Sequence, residues 1–323
     1  MIFSPKKMAN RTRGFVVAVG LLASLATLAS CFGRWWWGFE LATHFRVHYL
    51  LILGGAALAL ALWRSWRWPL LFGALALFNL ALIAPIHENQ AAATAVDSSR
   101  PVPRALLANV NAWNRNPEPL RRLIAASDPD FILLLEATPW LLAQLRPLAA
   151  RYPHQVAEPA EDPFGIALLS RHPLQNPRIV RLDGAAGPPA IVATVAANPR
   201  PFTVIGAHPW PPVSADLAQG RNDLLRALAA IARQTPGPTL LLGDLNVSPW
   251  SPWFAQLLTD GQLRDSRRGW DLRGSWPSGW WPLRIPIDHI LVSEGVTVRR
   301  REIGPAIGSD HDPVIVDFQV SSP

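Results

Sequence analysis

Four short apolar runs in the later part of the chain each end abruptly in a polar group. RALLAN ends at Asn109, FILLLE at Glu136, FTVIGAH at His208 and TLLLGD at Asp244, the last continuing through Leu245 to Asn246. A strand buried on both faces gains by apolar burial along its whole length. A carboxylate, amide or imidazole at its very end therefore belongs at the rim of a sheet, where loops build sites. Packing alone has no reason to repeat that arrangement four times, so the runs predict an α/β layered domain with its chemistry gathered along one edge.

The first quarter of the chain follows another rule. Gly14 to Phe32, Val47 to Trp63 and Trp68 to Ala84 are nearly uncharged stretches, close to the roughly 20 residues that cross a bilayer. They predict three transmembrane helices, about 14–32, 47–63 and 68–84, in a membrane anchor covering residues 1–86. Basic and aromatic connectors flank them: Arg34 with Trp35, Trp36 and Trp37, then Arg64 and Arg67 with Trp63, Trp66 and Trp68, as expected at headgroup level. The stretches themselves hold no internal Asp, Glu, Lys or Arg, which argues against a transport path through them.

Lys6, Lys7, Arg11 and Arg13 place the amino terminus on the cytoplasmic side, and Arg64 and Arg67 do the same for the second connector. Arg34 and Arg46 on the first connector weaken the contrast. The third helix then leads outward, so the remaining chain is expected outside the cytoplasm, on a multi-pass protein of the cell (inner) membrane. Leu28-Ala29-Ser30-Cys31 resembles a bacterial lipoprotein cleavage box. An uncut anchor helix is the preferred reading, and cleavage would leave the carboxyl domain on the same side. Cys31 is the only cysteine, which excludes an intrachain disulfide and any cysteine-based catalytic centre.

The pI of about 10.8 is weak evidence for a nucleic-acid partner, because much of the basic excess belongs to the anchor. Beyond Asp97 the chain holds 22 Arg, no Lys and 20 acidic residues, a net +2. Residues 87–103 are rich in Ala, Ser and Pro and predict a linker. Residues 104–323 then suffice for one domain with a substantial core. Strands are expected near 104–110, 130–136, 164–170, 190–196, 201–207, 239–243, 286–292 and 313–320, with helices near 117–126, 138–149 and, capped by Ser214, up to Arg233. The strands near 190–196 and 201–207 form a hairpin through Ala197 to Arg200.

Two further polar clusters adjoin the last expected strands, Ile285-Pro286-Ile287-Asp288-His289 and Gly308-Ser309-Asp310-His311-Asp312. Singly, Asn109 would serve as a turn closer, Asp244 and Asn246 as an Asx turn, and His208 as a rim histidine. Turn requirements do not dictate the ordered series Asn109, Glu136, His208, Asp244 with Asn246, Asp288, Asp310 with His311. That series resembles the endonuclease/exonuclease/phosphatase superfamily over residues about 104 to 320, with membrane-tethered bacterial members as the nearest type. The resemblance implies a DNase I-like four-layer αββα sandwich and metal-dependent cleavage of a phosphate ester, usually with Mg2+, Mn2+ being the alternative.

The residue chemistry suits that reaction, because phosphoryl transfer needs positioning and charge neutralisation, which a hard cation on oxygen ligands provides. On the resemblance, Glu136 with Asn109 holds metal and Asp310 joins the metal or water network. Asp244 orients and deprotonates the attacking water, and Asn246 holds that water or a phosphate oxygen in line. Asp288 fixes the tautomer of His311 and raises its pKa, so that an imidazolium faces the phosphate. His208 stabilises the same charge or protonates the leaving oxygen, and Asn111 and Arg221 are candidate substrate contacts. His289 falls on the opposite strand face and, like Asp312, reads as structural.

Many members carry Gln before the metal-binding Glu, where Leu135 stands here. Trp250, Trp253, Trp276, Trp280 and Trp281 read first as core or loop packing, with a base platform or a headgroup contact as the functional alternative. The expected partners are a phosphate-ester substrate, nucleic acid or phospholipid headgroup, and the lipid bilayer. No protein partner is indicated. A lipid-headgroup or small-molecule phosphatase, and a catalytically silent membrane binding protein on the same fold, are the competing readings.

Overall fold

The computed structural model describes residues 5–84, 102–185, 187–197, 200–270 and 272–321. The linker expected over 87–103 lies outside the described residues except for Val102 and Pro103, as do Asn198 and Pro199 of the hairpin connector. The described chain forms two compact units, one helical and one α/β.

In the helical unit, α1 (Pro5–Ser30) is followed by a short α2 (Trp37–Leu41). A 3₁₀ turn (Ala42–Phe45) then leads into α3 (Arg46–Leu62), and α4 (Arg67–Ile83) closes the unit. Leu53, Leu60 and Phe72 pack at its centre. Two of the three expected spans are long and apolar enough to cross a membrane, Asn10–Ser30 and Trp37–Leu62. The third, Arg67–Ile83, is apolar but shorter. The second begins ten residues earlier than expected because the first connector is itself largely helical. That folding buries Glu40, His44 and Arg46, ionisable groups that the apolar stretches alone did not place inside. Arg46 Nη1 donates to Asn79 Oδ1 at 3.4 Å, and Asn79 Nδ2 donates to Thr27 Oγ1 at 3.0 Å, joining α3, α4 and α1.

The α/β unit opens with β1 (Arg104–Asn109), α5 (Glu118–Ser127), β2 (Phe131–Leu135), α6 (Pro139–Gln144), β3 (His154–Glu158) and β4 (Ile166–Ser170). It continues with β5 (Leu174–Ala185), β6 (Pro189–Val195), β7 (Phe202–Ala207), α7 (Ala215–Gln234) and β8 (Thr239–Asp244). It ends with α8 (Pro252–Gly261), β9 (Arg264–Asp265), β10 (Asp288–Val292), β11 (Val296–Ile303) and β12 (Val314–Val320). One six-stranded sheet has the order β11-β12-β1-β2-β4-β3 and the other β5-β6-β7-β8-β10-β9.

Strand alternation builds the layers. In β2, Phe131, Leu133 and Leu135 enter the core between the sheets, while Ile132 and Leu134 pack outward with Leu120, Ile124 and Leu141 from α5 and α6. In β8, Leu240 and Leu242 face the same central core, and Leu241 packs outward with Leu225, Leu228 and Phe254 from α7 and α8. Central strands are thus apolar on both faces because both faces are covered. The result is the four-layer αββα sandwich expected from the sequence.

Four strands escaped the sequence reading, β3, β5, β9 and β11, and they are the four sheet edges. Edge strands carry charge and Pro because one side has no partner strand, as in HQVAE, LQNPRIVRLDGA and VTVRRREI. Helix α8 was also missed. The helix expected over 138–149 breaks after Gln144 into a 3₁₀ turn at Arg146–Ala150, where Pro147 removes a backbone donor.

Candidate active site

Register brings the polar strand ends to one rim. β1 and β2 run parallel with Asn109 beside Leu135, so Glu136 emerges next to Asn109. β7 and β8 run parallel with Gly206 beside Leu242, so His208 and Asp244 emerge together. Antiparallel β10 starts at the same rim, with Asp288 directly opposite Asp244. Antiparallel β12 pairs with β1, so the segment carrying Asp310 and His311 also enters there.

At the rim the Asn109 amide bridges the two sheets. Asn109 Nδ2 donates to Glu136 Oε1 at 3.0 Å and to Asp244 Oδ2 at 3.3 Å. Its Oδ1 accepts from the Asn111 backbone N–H at 3.1 Å, and Glu136 Oε2 accepts from the Ala112 N–H at 2.9 Å. Asn109 therefore acts as a donor bridging two carboxylates. Asn111 Nδ2 donates to Asp310 Oδ1 at 2.8 Å.

Three of these residues occupy the left-handed backbone region: Asn111 at φ 60°, Glu136 at φ 59° and Asn246 at φ 50°. Asn tolerates it, whereas for Glu it is uncommon and marks a backbone held by its surroundings. Gly243 permits the close approach on which β8 depends, since a Cβ there would lie 2.1 Å from the Ala207 carbonyl oxygen.

Asp244, Asp288, His208 and His311 are all buried. His311 Nδ1 lies 2.8 Å from Asp288 Oδ2, and its Nε2 lies 3.6 Å from Asp244 Oδ2. Burial by itself strips the His311 imidazole of its proton. The charges of Asp288 and Asp244 outweigh that and push its pKa up to about 10. Burial pushes the Asp244 carboxyl up, but His311, His208 and the Asn246 N–H bring it down to about 2. His208 is likewise pulled down by burial and lifted on balance by Asp244 and Glu136. Its Nδ1 faces the Pro163 carbonyl at 3.1 Å, leaving Nε2 toward Asp244 at 3.4 Å.

Asn246 is anchored by Nδ2 to the Pro209 carbonyl at 3.0 Å, and its N–H donates to Asp244 Oδ1 at 3.0 Å. Arg221 is fully buried. Its Nη1 donates to the Asn246 carbonyl at 2.6 Å, so it supports the Asn246 turn from behind and has no surface to offer a phosphate. His289 lies on the opposite face, with Nε2 2.7 Å from the Val247 carbonyl and its ring against Phe254. Asp312 pairs with Arg284 at 2.7 Å.

The loop that leads into β10 contributes more than the sequence indicated. Ser275 Oγ accepts from the Asp288 N–H at 3.3 Å, and Trp276 Nε1 donates to Asp310 Oδ2 at 3.1 Å. Neither contact has a local sequence signal, because each partner lies more than ten residues away.

The carboxylates of the site suit a hard divalent cation on oxygen ligands. Among the described residues, donor atoms of Asp244, Asp288 and His311 lie within 4.8 Å of one another. Asp288 Oδ1 is buried without a hydrogen-bond partner, a state that a bound cation or its water relieves. The expected ligands Glu136 and Asn109 adjoin this group, Asn109 Nδ2 donating to both Glu136 and Asp244, and Asp310 precedes His311 in the chain.

Residues 106–311 match the endonuclease/exonuclease/phosphatase family, a span that contains every site residue from Asn109 to His311. The chain belongs to that family. Solved structures agree on the fold. An endonuclease/exonuclease/phosphatase from Beutenbergia cavernae superposes with a TM-score of 0.59 at 20% identity, covering 69% of this chain and 72% of that one. D. rerio TDP2 complexed with single strand DNA product superposes with a TM-score of 0.57 at 16% identity, covering 68% and 100%. Sphingomyelinase C from Streptomyces griseocarneus superposes with a TM-score of 0.52 at 20% identity, covering 68% and 99%. No curated protein matches the chain. Members of the endonuclease/exonuclease/phosphatase family are phosphoester hydrolases, and the constellation above carries the acidic and imidazole groups such chemistry needs. Leu135, where many family members carry Gln, points into the core between the sheets and makes no polar contact with the site.

Proposed function

We propose that this chain is a membrane-anchored, divalent-metal-dependent phosphoesterase that cleaves phosphodiester bonds by in-line attack of an activated water. The observation that carries this reading is the buried pairing of His311 with Asp288 beside Asp244, which keeps an imidazolium next to an ionised carboxylate at neutral pH. Asp244 orients the water and takes its proton as the bond to phosphorus forms. Asn246 keeps the water in line, and His311 offers N–H to the phosphate oxygens as their charge grows. His208 donates to the departing oxygen. Glu136, Asn109 and Asp310, with the carboxylates of Asp244 and Asp288 beside them, are the residues that would hold Mg2+ or Mn2+. When bound, such a cation neutralises phosphate charge.

The apolar helices support an anchor in the cell membrane. The basic residues around them favour a cytoplasmic amino terminus and an extracytoplasmic catalytic unit. Nucleic acid is the first substrate class. A phospholipid headgroup is the second, favoured by the exposure of Trp280 (67%), Trp281 (79%) and Leu283 (48%).

The test uses the full chain in detergent with Mg2+, Mn2+ or chelator, on single-stranded and duplex DNA, RNA, phospholipids, bis(p-nitrophenyl) phosphate and phosphomonoesters. Metal-dependent turnover of a diester that is lost in Asp244→Ala is expected. Full activity in that variant, or no turnover of any ester, sinks the proposal. A carboxyl-terminal reporter fusion tests topology, and a cytoplasmic signal overturns the placement.

A further inference from the structure

Asp310 sits exposed at the rim, where a carboxylate ordinarily turns freely. Here each oxygen is held by a different element. Asn111 Nδ2 donates to Oδ1 at 2.8 Å, and the Trp276 indole N–H donates to Oδ2 at 3.1 Å. Asn111 is itself fixed, since its Oδ1 accepts from the Trp113 N–H at 3.0 Å. An indole has one donor and no acceptor, so a single hydrogen bond sets the relation between the Trp276 ring and the carboxylate.

The backbone around Trp276 is tied to the same segment. The Ser278 N–H donates to the Asp310 carbonyl and its hydroxyl to the Ser309 carbonyl, both at 2.8 Å. The Asp312 N–H donates to the Ser275 carbonyl at 2.8 Å. At the far end of the loop Arg284 holds Asp312, and Trp276 bridges back to Ile285. The Trp276 ring centroid lies 6.4 Å from that of His311. The loop is thus fastened at several points to the segment that carries Asp310 and His311, with the indole N–H as its one side-chain contact to the Asp310 carboxylate.

We infer that Trp276 is a positioning residue that fixes the Asp310 carboxylate for its place beside a bound cation and its water. The inference rests on the phosphodiesterase reading of the site and adds to it a residue outside the ordered motif series. Through an orienting partner of this kind, loss of the N–H costs about 10-fold in activity or in metal affinity. A ring that only fills space costs nothing when the ring is kept and the N–H removed.

The experiment compares wild type, Trp276→Phe, Asp310→Asn and the double variant as full chains in detergent. It measures Mn2+ binding by electron paramagnetic resonance of free Mn2+, and kcat and KM on bis(p-nitrophenyl) phosphate. Trp276→Phe is expected to weaken Mn2+ binding and lower kcat by about 10-fold with KM nearly unchanged, and to add nothing once Asp310 is Asn. Wild-type behaviour of Trp276→Phe, or a loss that adds fully to that of Asp310→Asn, overturns the inference. If wild type turns over no diester, the functional proposal fails, and Mn2+ binding alone judges Trp276 by the same two outcomes. Should Trp276→Phe lose its melting transition, Trp276→His, which keeps a ring N–H, takes its place. Mn2+ binding close to wild type supports the role, and binding as weak as in Asp310→Asn overturns it.

Discussion

His311 and Asp288 form a buried pair at 2.8 Å, from residues 23 positions apart, one in the loop before β12 and the other at the start of β10. Burial and the Asp244 charge push the Asp288 carboxyl upward while His311 draws it down. The pair therefore holds one proton, and the imidazole keeps it. The carboxylates of Asp288 and Asp244 pull the His311 ring from either side, which gives the site a cation at neutral pH without an Arg or Lys.

Stability of the metal-free protein is expected to depend on this proton. His311 holds it up to about pH 10 in the fold, against 6.5 ordinarily. Below about 6.5 the folded and unfolded chains both carry it, and its contribution is fully present. Between there and about 10 only the folded chain carries it, so the contribution falls as pH rises and is gone beyond. Thermal melts in chelator at pH 6, 8 and 10 should show wild type losing more than His311→Asn, and parallel losses contradict the assignment.

Asp288→Asn removes the partner that keeps His311 charged and correctly turned. A kcat loss of about 100-fold or more is expected on a diester substrate, with the alkaline limb of the pH profile moved to lower pH. Steady-state kinetics from pH 6 to 10 decide this, and an unmoved limb would separate Asp288 from His311.

At Asn246 the backbone and the side chain can be tested apart. The position has φ 50°, so Asn246→Gly should be more stable than Asn246→Ala by about 1 kcal/mol. Both lose the amide, and both should lose activity alike. Urea denaturation with parallel assays checks the split, and equal stability would mean that the backbone carries no strain there.

Arg221→Met should destabilise by about 2 kcal/mol, since it leaves the Asn246 carbonyl without a charged donor. Activity should fall through displacement of Asn246, appearing in kcat more than in KM. A large rise in KM with kcat intact would instead make Arg221 a substrate contact.

Gly243→Ala places a Cβ against the Ala207 carbonyl and should cost about 2 kcal/mol or more. The effect belongs to the β7–β8 rim, so His208 and Asp244 should be misplaced together. A variant with wild-type melting temperature and activity contradicts the close approach.

Much of the fold was legible because central strands advertise themselves. β1, β2, β7 and β8 are apolar on both faces, and their polar ends mark the rim without any knowledge of pairing. The four edge strands were not legible, since solvent on one side permits the same polar and charged residues as a loop. Arg221 reads as an exposed phosphate contact near the start of a long helix, and only packing reveals that its face of α7 turns inward beneath Asn246. The Trp276 contact was hidden for a related reason, as it joins residues 34 positions apart.

Local sequence determined which residues can carry the chemistry and in what order, because strand burial and strand ends are properties of short segments. Tertiary structure alone decided which of them touch. The parallel registers of β1 with β2 and β7 with β8, and the antiparallel entry of β10 and β12, converge from distances along the chain that no short-range pattern encodes. The proton on His311 follows from that convergence, since two buried carboxylates must be brought within a few ångströms before burial ceases to favour the neutral ring.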